Sequence, residues 1–328
     1  MLKKKLITII LLTFLFISPV VIAHVPVGVG ENTSIETATI VEEPTKSWAI
    51  YDEIHETSEA KYYKFHMEAD QRLKIQLYSP DQDFSPNLIL MEPGTTKDEN
   101  IPEFIEIPDN YGASIFYGQQ SDEKEYEPFT PASYYYILDF DMNVNATGDY
   151  YLAVYSPTNH GKIGIAIGYV ETFSAIEWIR IPIDTINIHI WEGQNLFLIL
   201  APMILSIIVG IALIFYKKLT KNFNLKKWMI YITGLIYLGS GLIILAQMIF
   251  AAATSSFGAG VLITSIFIII PIILGLILIN MSMKKIEQKQ RMTIIKLLLI
   301  GILGIIFWSG LIIGPILSII SAFISIKK

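Results

Sequence analysis

The sequence predicts an α+β membrane protein: an extracellular antiparallel β-sandwich followed by a four-helix transmembrane bundle. Three observations predict it. Charge is segregated: 29 of the 30 acidic residues, but only nine of the 24 basic ones, lie between His24 and Gly193. That stretch carries a net charge of −20, where the whole chain carries −6. Four long apolar runs follow, joined by loops that include two strongly basic ones. Ahead of them, short segments alternate apolar and polar residues between turn signals.

Residues 1–23 read as a signal peptide. Lys3, Lys4 and Lys5 form a basic start, Leu6 to Phe16 a short apolar core, and Val21-Ile22-Ala23 a cleavage site. An uncleaved signal anchor is the competing reading, and in both cases the lysines stay inside and the acidic region goes outside. Residues 24–44 form an N-terminal segment.

Residues 45–172 are assigned to the sandwich. Expected strands are Lys46–Ile50, Lys61–Met67, Arg72–Tyr78, Asn87–Met91, Glu103–Ile107, Ala113–Gly118, Tyr134–Phe140, Asp149–Tyr155 and Ile163–Tyr169. In Leu73-Lys74-Ile75-Gln76-Leu77 the apolar side chains fall on one face. Many short strands at such spacing suggest a sandwich. With no cysteine in the chain, disulfides and thiolate metal sites are excluded. A domain of this size buries enough core without them.

Residues 173–193 link the sandwich to the apolar runs. Ile176, Ile179, Ile183, Ile186 and Ile190 make a helical stripe, and Trp178 and Trp191 suit a membrane interface. Pro182 interrupts the pattern, and Ile186 to Ile190 also alternates like a strand. A kinked interfacial helix is the favoured reading.

Residues 194–328 hold the four spans, near 196–216, 228–252, 260–281 and 297–325. Each reaches the roughly 20 residues that a bilayer requires. Lys217, Lys218, Lys221, Lys226 and Lys227 follow the first span. Lys284, Lys285, Lys289, Arg291 and Lys296 follow the third, against one Glu287. The turn 253–259 is uncharged. The positive-inside rule then places the basic loops in the cytoplasm and the sandwich outside the plasma membrane. The fourth run is over-long and contains Pro315, which predicts a tilt or kink and a C-terminus outside if it crosses fully. The spans lack Asp, Glu, Lys, Arg and His, which speaks against a pump or ion-coupled transporter. Gln247, scattered Ser and Thr, and the tyrosines of the second span are the polar residues within them. Gly310 and Gly314, and Ser206 and Gly210, have the spacing of close helix packing.

Two stretches carry a family resemblance. Tyr62-Tyr63-Lys64-Phe65 runs into Asp70-Gln71-Arg72-Leu73-Lys74-Ile75-Gln76-Leu77, and Thr147-Gly148-Asp149-Tyr150-Tyr151-Leu152-Ala153-Val154 precedes a turn and a last strand. These resemble the pre-peptidase C-terminal domain family of secreted β-sandwiches, over about 110 of the 328 residues. Ala69-Asp70 stands where that family usually has a turn Gly. The resemblance implies a surface binding or stabilising module.

Several constellations suggest chemistry. Asp139, Asp141, Asn143 and Asn145 put oxygens on one side of an extended segment, as Ca²⁺ prefers. Val144 and Tyr150 depart from an EF-hand, and a strand with a solvated polar face is the bland alternative. Cleavage after Ala23 exposes the amine and imidazole of His24, a Cu²⁺-type donor pair that needs His55, His66 or His160 to complete it. A disordered terminus is favoured over that copper site. Asn32 and Asn145 begin glycosylation sequons, whereas Asn280 falls at the cytosolic end of a span. Residues 122–127 read as a solvated charged loop or a docking surface. Tyr134 to Tyr136 suit either a core or a glycan-binding face. No nucleophile elbow, HExxH helix or phosphate loop occurs, and the acidic balance speaks against nucleic acid.

The expectation is a non-enzymatic cell-surface protein whose sandwich binds a partner, glycan or cation and whose helices anchor it in the lipid bilayer or pack with another subunit. A copper-handling or redox accessory protein built on His24, and a subunit of a membrane transporter or enzyme, are the alternatives.

Overall fold

The structure, a computed structural model, describes residues 24–94, 96–256, 258–284 and 290–324. The leader 1–23, Lys285, Glu287, Lys289 and the end of the last run at Ser325 lie outside the described residues.

The fold is α+β, with two sheets and six helices among the described residues. Eleven strands come first. They are β1 (Val25–Val27), β2 (Thr39–Ile40), β3 (Trp48–Ile54), β4 (Ala60–Met67), β5 (Arg72–Ser79), β6 (Asn87–Pro93), β7 (Tyr111–Phe116), β8 (Lys124–Glu127), β9 (Ala132–Asn143), β10 (Gly148–Tyr155) and β11 (Gly161–Ile167). One sheet has the order β1-β3-β11-β5-β9-β8 and the other β2-β4-β10-β6-β7. Pairing is antiparallel except for β1 on β3 and β2 on β4. The inward residues of both sheets form one core, with Ile50, Leu73, Ile75 and Ile165 from the first and Phe65, Leu90 and Leu152 from the second. This shared core is what makes the two sheets a sandwich. Asp70 stands in the β4–β5 turn at φ 65, a left-handed conformation that Asp tolerates where Gly is more usual.

Two strand expectations are corrected. Glu103–Ile107 is a loop, bounded by Pro102 and Pro108, that tucks Ile105 under the second sheet. Prolines at both ends remove the donors that a paired strand needs. Conversely, residues 124–127 are a strand: Glu125 pairs with Tyr134 and Glu127 with Ala132.

The helices are α1 (Ala175–Trp191), α2 (Leu196–Tyr216), α3 (Leu225–Ala252), α4 (Gly260–Met283), α5 (Gln290–Ile306) and α6 (Ile313–Phe323). Ser174 and Glu177 form a reciprocal capping box that starts α1, and the helix continues through Pro182. Helices α2, α3 and α4 are long and apolar enough to cross a membrane. Ser206 Oγ donates to Leu235 O at 2.7 Å, and Gly210 lies against Leu235, so the small residues of α2 bring it close to α3.

The expected fourth span, 297–325, is corrected. It is a hairpin: α5 ends at Ile306, residues 307–312 reverse the chain, and α6 returns. Trp308, Gly310 and Leu311 all have positive φ there. Ser318 Oγ donates to Leu297 O at 2.8 Å across the hairpin. At its end, Lys226 Nζ donates to Ile324 O at 3.0 Å. The chain thus returns to the end of α3 that carries the lysines, because αL residues around Gly310 bend it before Pro315 restarts a helix.

A two-residue strand, β12 (Ser255–Ser256), in the turn between α3 and α4, pairs with Lys124 and Glu125 of β8. It extends the first sheet of the sandwich, so backbone hydrogen bonding ties the sandwich to that end of the helices.

Candidate functional site

The polar side chains that the fold brings together lie where the sandwich meets the helices. The outer face of the first sheet carries an aromatic cluster. Tyr78 lies 5.0 Å from Tyr134 and 5.9 Å from Tyr136 between ring centroids, and Tyr51 lies 4.9 Å from Trp191 of α1. Strand alternation points these rings away from the sandwich core, and α1 covers them. Gly164 leaves space for the Tyr78 ring to lie flat on the sheet.

A cavity of about 30 Å³ remains within this cluster, lined by His24, Tyr78, Tyr136, Gln76 and Glu127. Burial pushes the Glu127 carboxyl up to about 7, although the Phe129 N–H donates to it at 3.2 Å. Burial, with the nearby charge of Lys74, pushes the His24 imidazole down to about 4. Desolvation also raises Tyr51, Tyr78, Tyr134 and Tyr136. The chamber therefore favours neutral groups, and it has room for about one water molecule.

A second chamber, of about 40 Å³, lies deeper, between α1, the 128–131 loop and the α5–α6 turn. His189 is buried on its wall. Its Nδ1 lies 2.8 Å from Glu192, whose other oxygen accepts from Tyr134 OH at 2.7 Å. A carboxylate only accepts, so Nδ1 carries a proton. Gln194 and Gln247 exchange reciprocal amide hydrogen bonds of 3.0 and 2.8 Å beside them. His189 Nε2 and Trp308 Nε1 are buried without a hydrogen-bond partner among the described residues, and both residues line this chamber.

Contacts across the junction are specific. Thr264 Oγ1 donates to Pro128 O at 2.7 Å and so accepts from Tyr126 OH, also at 2.7 Å. Ser133 and Thr254 hydroxyls are 2.8 Å apart, Trp191 Nε1 donates to Asp52 O at 2.8 Å, and Lys46 pairs with Glu177 at 2.6 Å.

Most residues singled out from the sequence lie elsewhere. Asp139, Asp141 and Asn143 do share one exposed face of β9. Successive side chains on a strand face stand about 7 Å apart, too far to enclose one ion. Asp141 is held by Arg72 and Asp139 by Gln76, and Asn145 lies beyond the strand end. The Asp139 and Asp141 carboxylates are thus already engaged by side chains of β5. Among the described residues no three His, Cys, Asp or Glu side chains gather as metal ligands. His24 is half-buried with Nδ1 against Ser47 Oγ, and His55, His66 and His160 lie on other parts of the sandwich. Asn32 is buried, and its Nδ2, the atom a glycan would take, donates to Asp52 at 2.9 Å. That sequon is closed by packing, while Asn145 is exposed. Gly310 and Gly314 both press on the Tyr237 ring. Gly310 is in the turn and Gly314 in α6, so the pair lets the hairpin close on Tyr237 of α3. Tyr134 and Tyr136 pack under α1 and offer no open glycan face.

Glu127, His189 and Glu192 were not evident from the sequence as a site. Gln247 was the available signal, since an amide in an apolar helix requires a partner.

No known protein family's profile matches the chain, and no curated protein matches it. Among solved structures, the pre-peptidase C-terminal domain of a collagenase from Bacillus anthracis is similar to part of it. The overlap covers 39% of this chain and 91% of that one, at 16% identity and a TM-score of 0.24. The sandwich assignment rests on the sheets and their shared core.

Proposed function

We propose that this is a multi-pass membrane protein of the cell surface, without catalytic activity, that holds an acidic β-sandwich rigidly against the outer face of the bilayer for a partner to bind. The observation that carries this reading is β12. The uncharged turn between α3 and α4 is built into the sandwich sheet beside β8, whereas Lys217, Lys218 and Lys221 lie beyond the opposite ends of α2 and α3. With α2, α3 and α4 as spans, basic residues inside and the sandwich outside follow from one orientation. The α5–α6 hairpin enters from the inner side and returns to it.

The surface open to a partner is the groove of about 490 Å³ between the 121–126 segment and β12, lined by Asp122, Glu123 and Glu125. A cationic segment of another protein suits it. The chambers inside the junction are water-sized and suit no larger ligand.

The absence of cysteine allows a direct test. Glu123→Cys and Lys221→Cys are made singly in the full chain and treated on intact cells with a membrane-impermeant maleimide. Labelling at 123 and protection at 221 until the cells are opened is expected. Labelling of both, or the reverse pattern, overturns the orientation. A photo-crosslinker at position 123 is expected to yield a discrete adduct, and its absence removes the groove as the contact surface.

A further inference from the structure

We propose that α1 lies in the plane of the membrane, sunk into the outer leaflet, with lipid as the partner of its exposed face. This rests on the reading of α2–α4 as spans.

The helix is two-sided. Ile181, Pro182, Ile188 and His189 are buried against the sandwich and the helices. On the other side, Ile176 (72% exposed), Ile179, Ile183 (46%) and Ile190 are exposed at helical spacing. Glu177 is tied to Lys46 of the sandwich and Asp184 pairs with Arg180, while Asn187 is the one uncharged polar residue exposed among these isoleucines. Arg180 is exposed, with a stem long enough to bring its guanidinium to headgroup level.

Continuity identifies the occupant. Leu196, Phe197 and Leu198, exposed at the start of α2, follow the end of α1 after one tight turn at Gly193. In the reading of α2 as a span, these face lipid.

Depth agrees. From Lys226 to Gln247, α3 rises about 31 Å at 1.5 Å per residue, close to the roughly 30 Å hydrocarbon thickness. Gly310 N donates to Ser240 Oγ at 2.6 Å, so the α5–α6 turn stops about 10 Å below Gln247. Trp308 in that turn stacks on Phe267 of α4 at 4.3 Å and meets Trp178 of α1 at 5.0 Å. The hairpin is too short to fill the outer leaflet, and α1 lies over it at that level. A stripe of isoleucines there, with Trp178 and Trp191 near its ends, has the character of an interfacial helix.

The test uses the full chain in phosphatidylcholine vesicles, with a nitroxide on single cysteines at Ile183→Cys, Val209→Cys on the exposed face of α2, and Glu123→Cys on the sandwich. Collision with oxygen, which enters lipid, is compared with collision with a water-soluble nickel chelate. The expected oxygen-to-nickel ratio at 183 is several-fold above that at 123 and approaches that at 209. A ratio at 183 equal to that at 123 means that the helix rides in water, and the proposal fails while the spans stand. Protection at 183 from both colliders assigns the face to a second copy or another protein, and also overturns it. A water-like ratio at 209 would sink the spanning reading as well.

Discussion

Gly310 and Tyr237 are in such close contact that a Cβ on the glycine would overlap the ring. The glycine also has φ 73, a left-handed conformation that costs an L side chain about 1–2 kcal/mol. Tyr237 is fully buried between α5 and α6, with its OH donating to Ile300 O at 3.2 Å. The hairpin is therefore shaped around one tyrosine. Gly310→Ala combines backbone strain with overpacking, which adds about 1–3 kcal/mol. Gly94 has a similar φ of 76 but open space where its Cβ would go. Gly94→Ala carries only the backbone cost. Thermal unfolding of the detergent-solubilised protein checks the order: a clearly larger loss of Tm is expected for the first variant, and equal losses would contradict the cradle.

Lys226 makes a second prediction. It reads as one of several cytosolic lysines, yet it is 2% exposed and donates to Ile324 O and Ala322 O at the end of α6. The last carbonyls of a helix need donors. Lys226→Met keeps the stem and leaves those carbonyls unmet, at a cost of about 1–3 kcal/mol. Lys227→Met, one residue on, serves as the control and is expected to be near neutral. Denaturant or thermal unfolding of both variants decides the point.

The hydroxyl of Thr264 links sandwich to helix, and its hydrogen-bond directions are forced. Pro128 O accepts only, so Thr264 donates there and Tyr126 must donate to Thr264. Thr264→Val strands two polar groups at once, for a loss of about 2–6 kcal/mol at about 1–3 for each unmet buried partner. Tyr126→Phe removes one of them. The double variant is expected to lose less than the sum of the singles, and a double-mutant cycle reads the coupling. Strict additivity would show that the link contributes nothing.

The elements legible in the sequence are those fixed by local pattern. Leu73 to Leu77 alternates and is β5. The runs at 196, 228 and 260 open three helices within three residues of where they stand. The last run misleads because Trp308 and Leu311, both apolar, occupy left-handed turn positions that hydropathy does not register. Glu127 misleads in the same way. A segment of alternating acids reads as solvated, and only the pairing of β8 with β9 sets the Glu127 side chain among Tyr51, Tyr78, Tyr134 and Tyr136. Asn32 resembles an open sequon until Asp52, 20 residues away, takes its nitrogen. Sites made by long-range contact left little trace, apart from Gln247, which could not stand unpaired in an apolar helix.

Glu127 and His24 give the last prediction, because they share a chamber and titrate in opposite senses. The folded state holds the Glu127 proton up to about 7, against an ordinary value near 4.5. Its stabilising contribution is complete below 4.5 and is lost as the pH rises through 7. His24 takes its proton only near 4, against 6.5 when unfolded. Its contribution is complete above 6.5 and is lost as the pH falls through 4. Between 4.5 and 6.5 the two slopes oppose each other, so the wild-type Tm changes little there. Glu127→Gln removes the falling limb and leaves Tm rising with pH across that window. His24→Gln removes the rising limb and leaves Tm falling. Unfolding curves of the full chain from pH 4 to pH 8 measure both, and slopes of the same sign in the two variants would show that these groups do not titrate as the buried chamber requires.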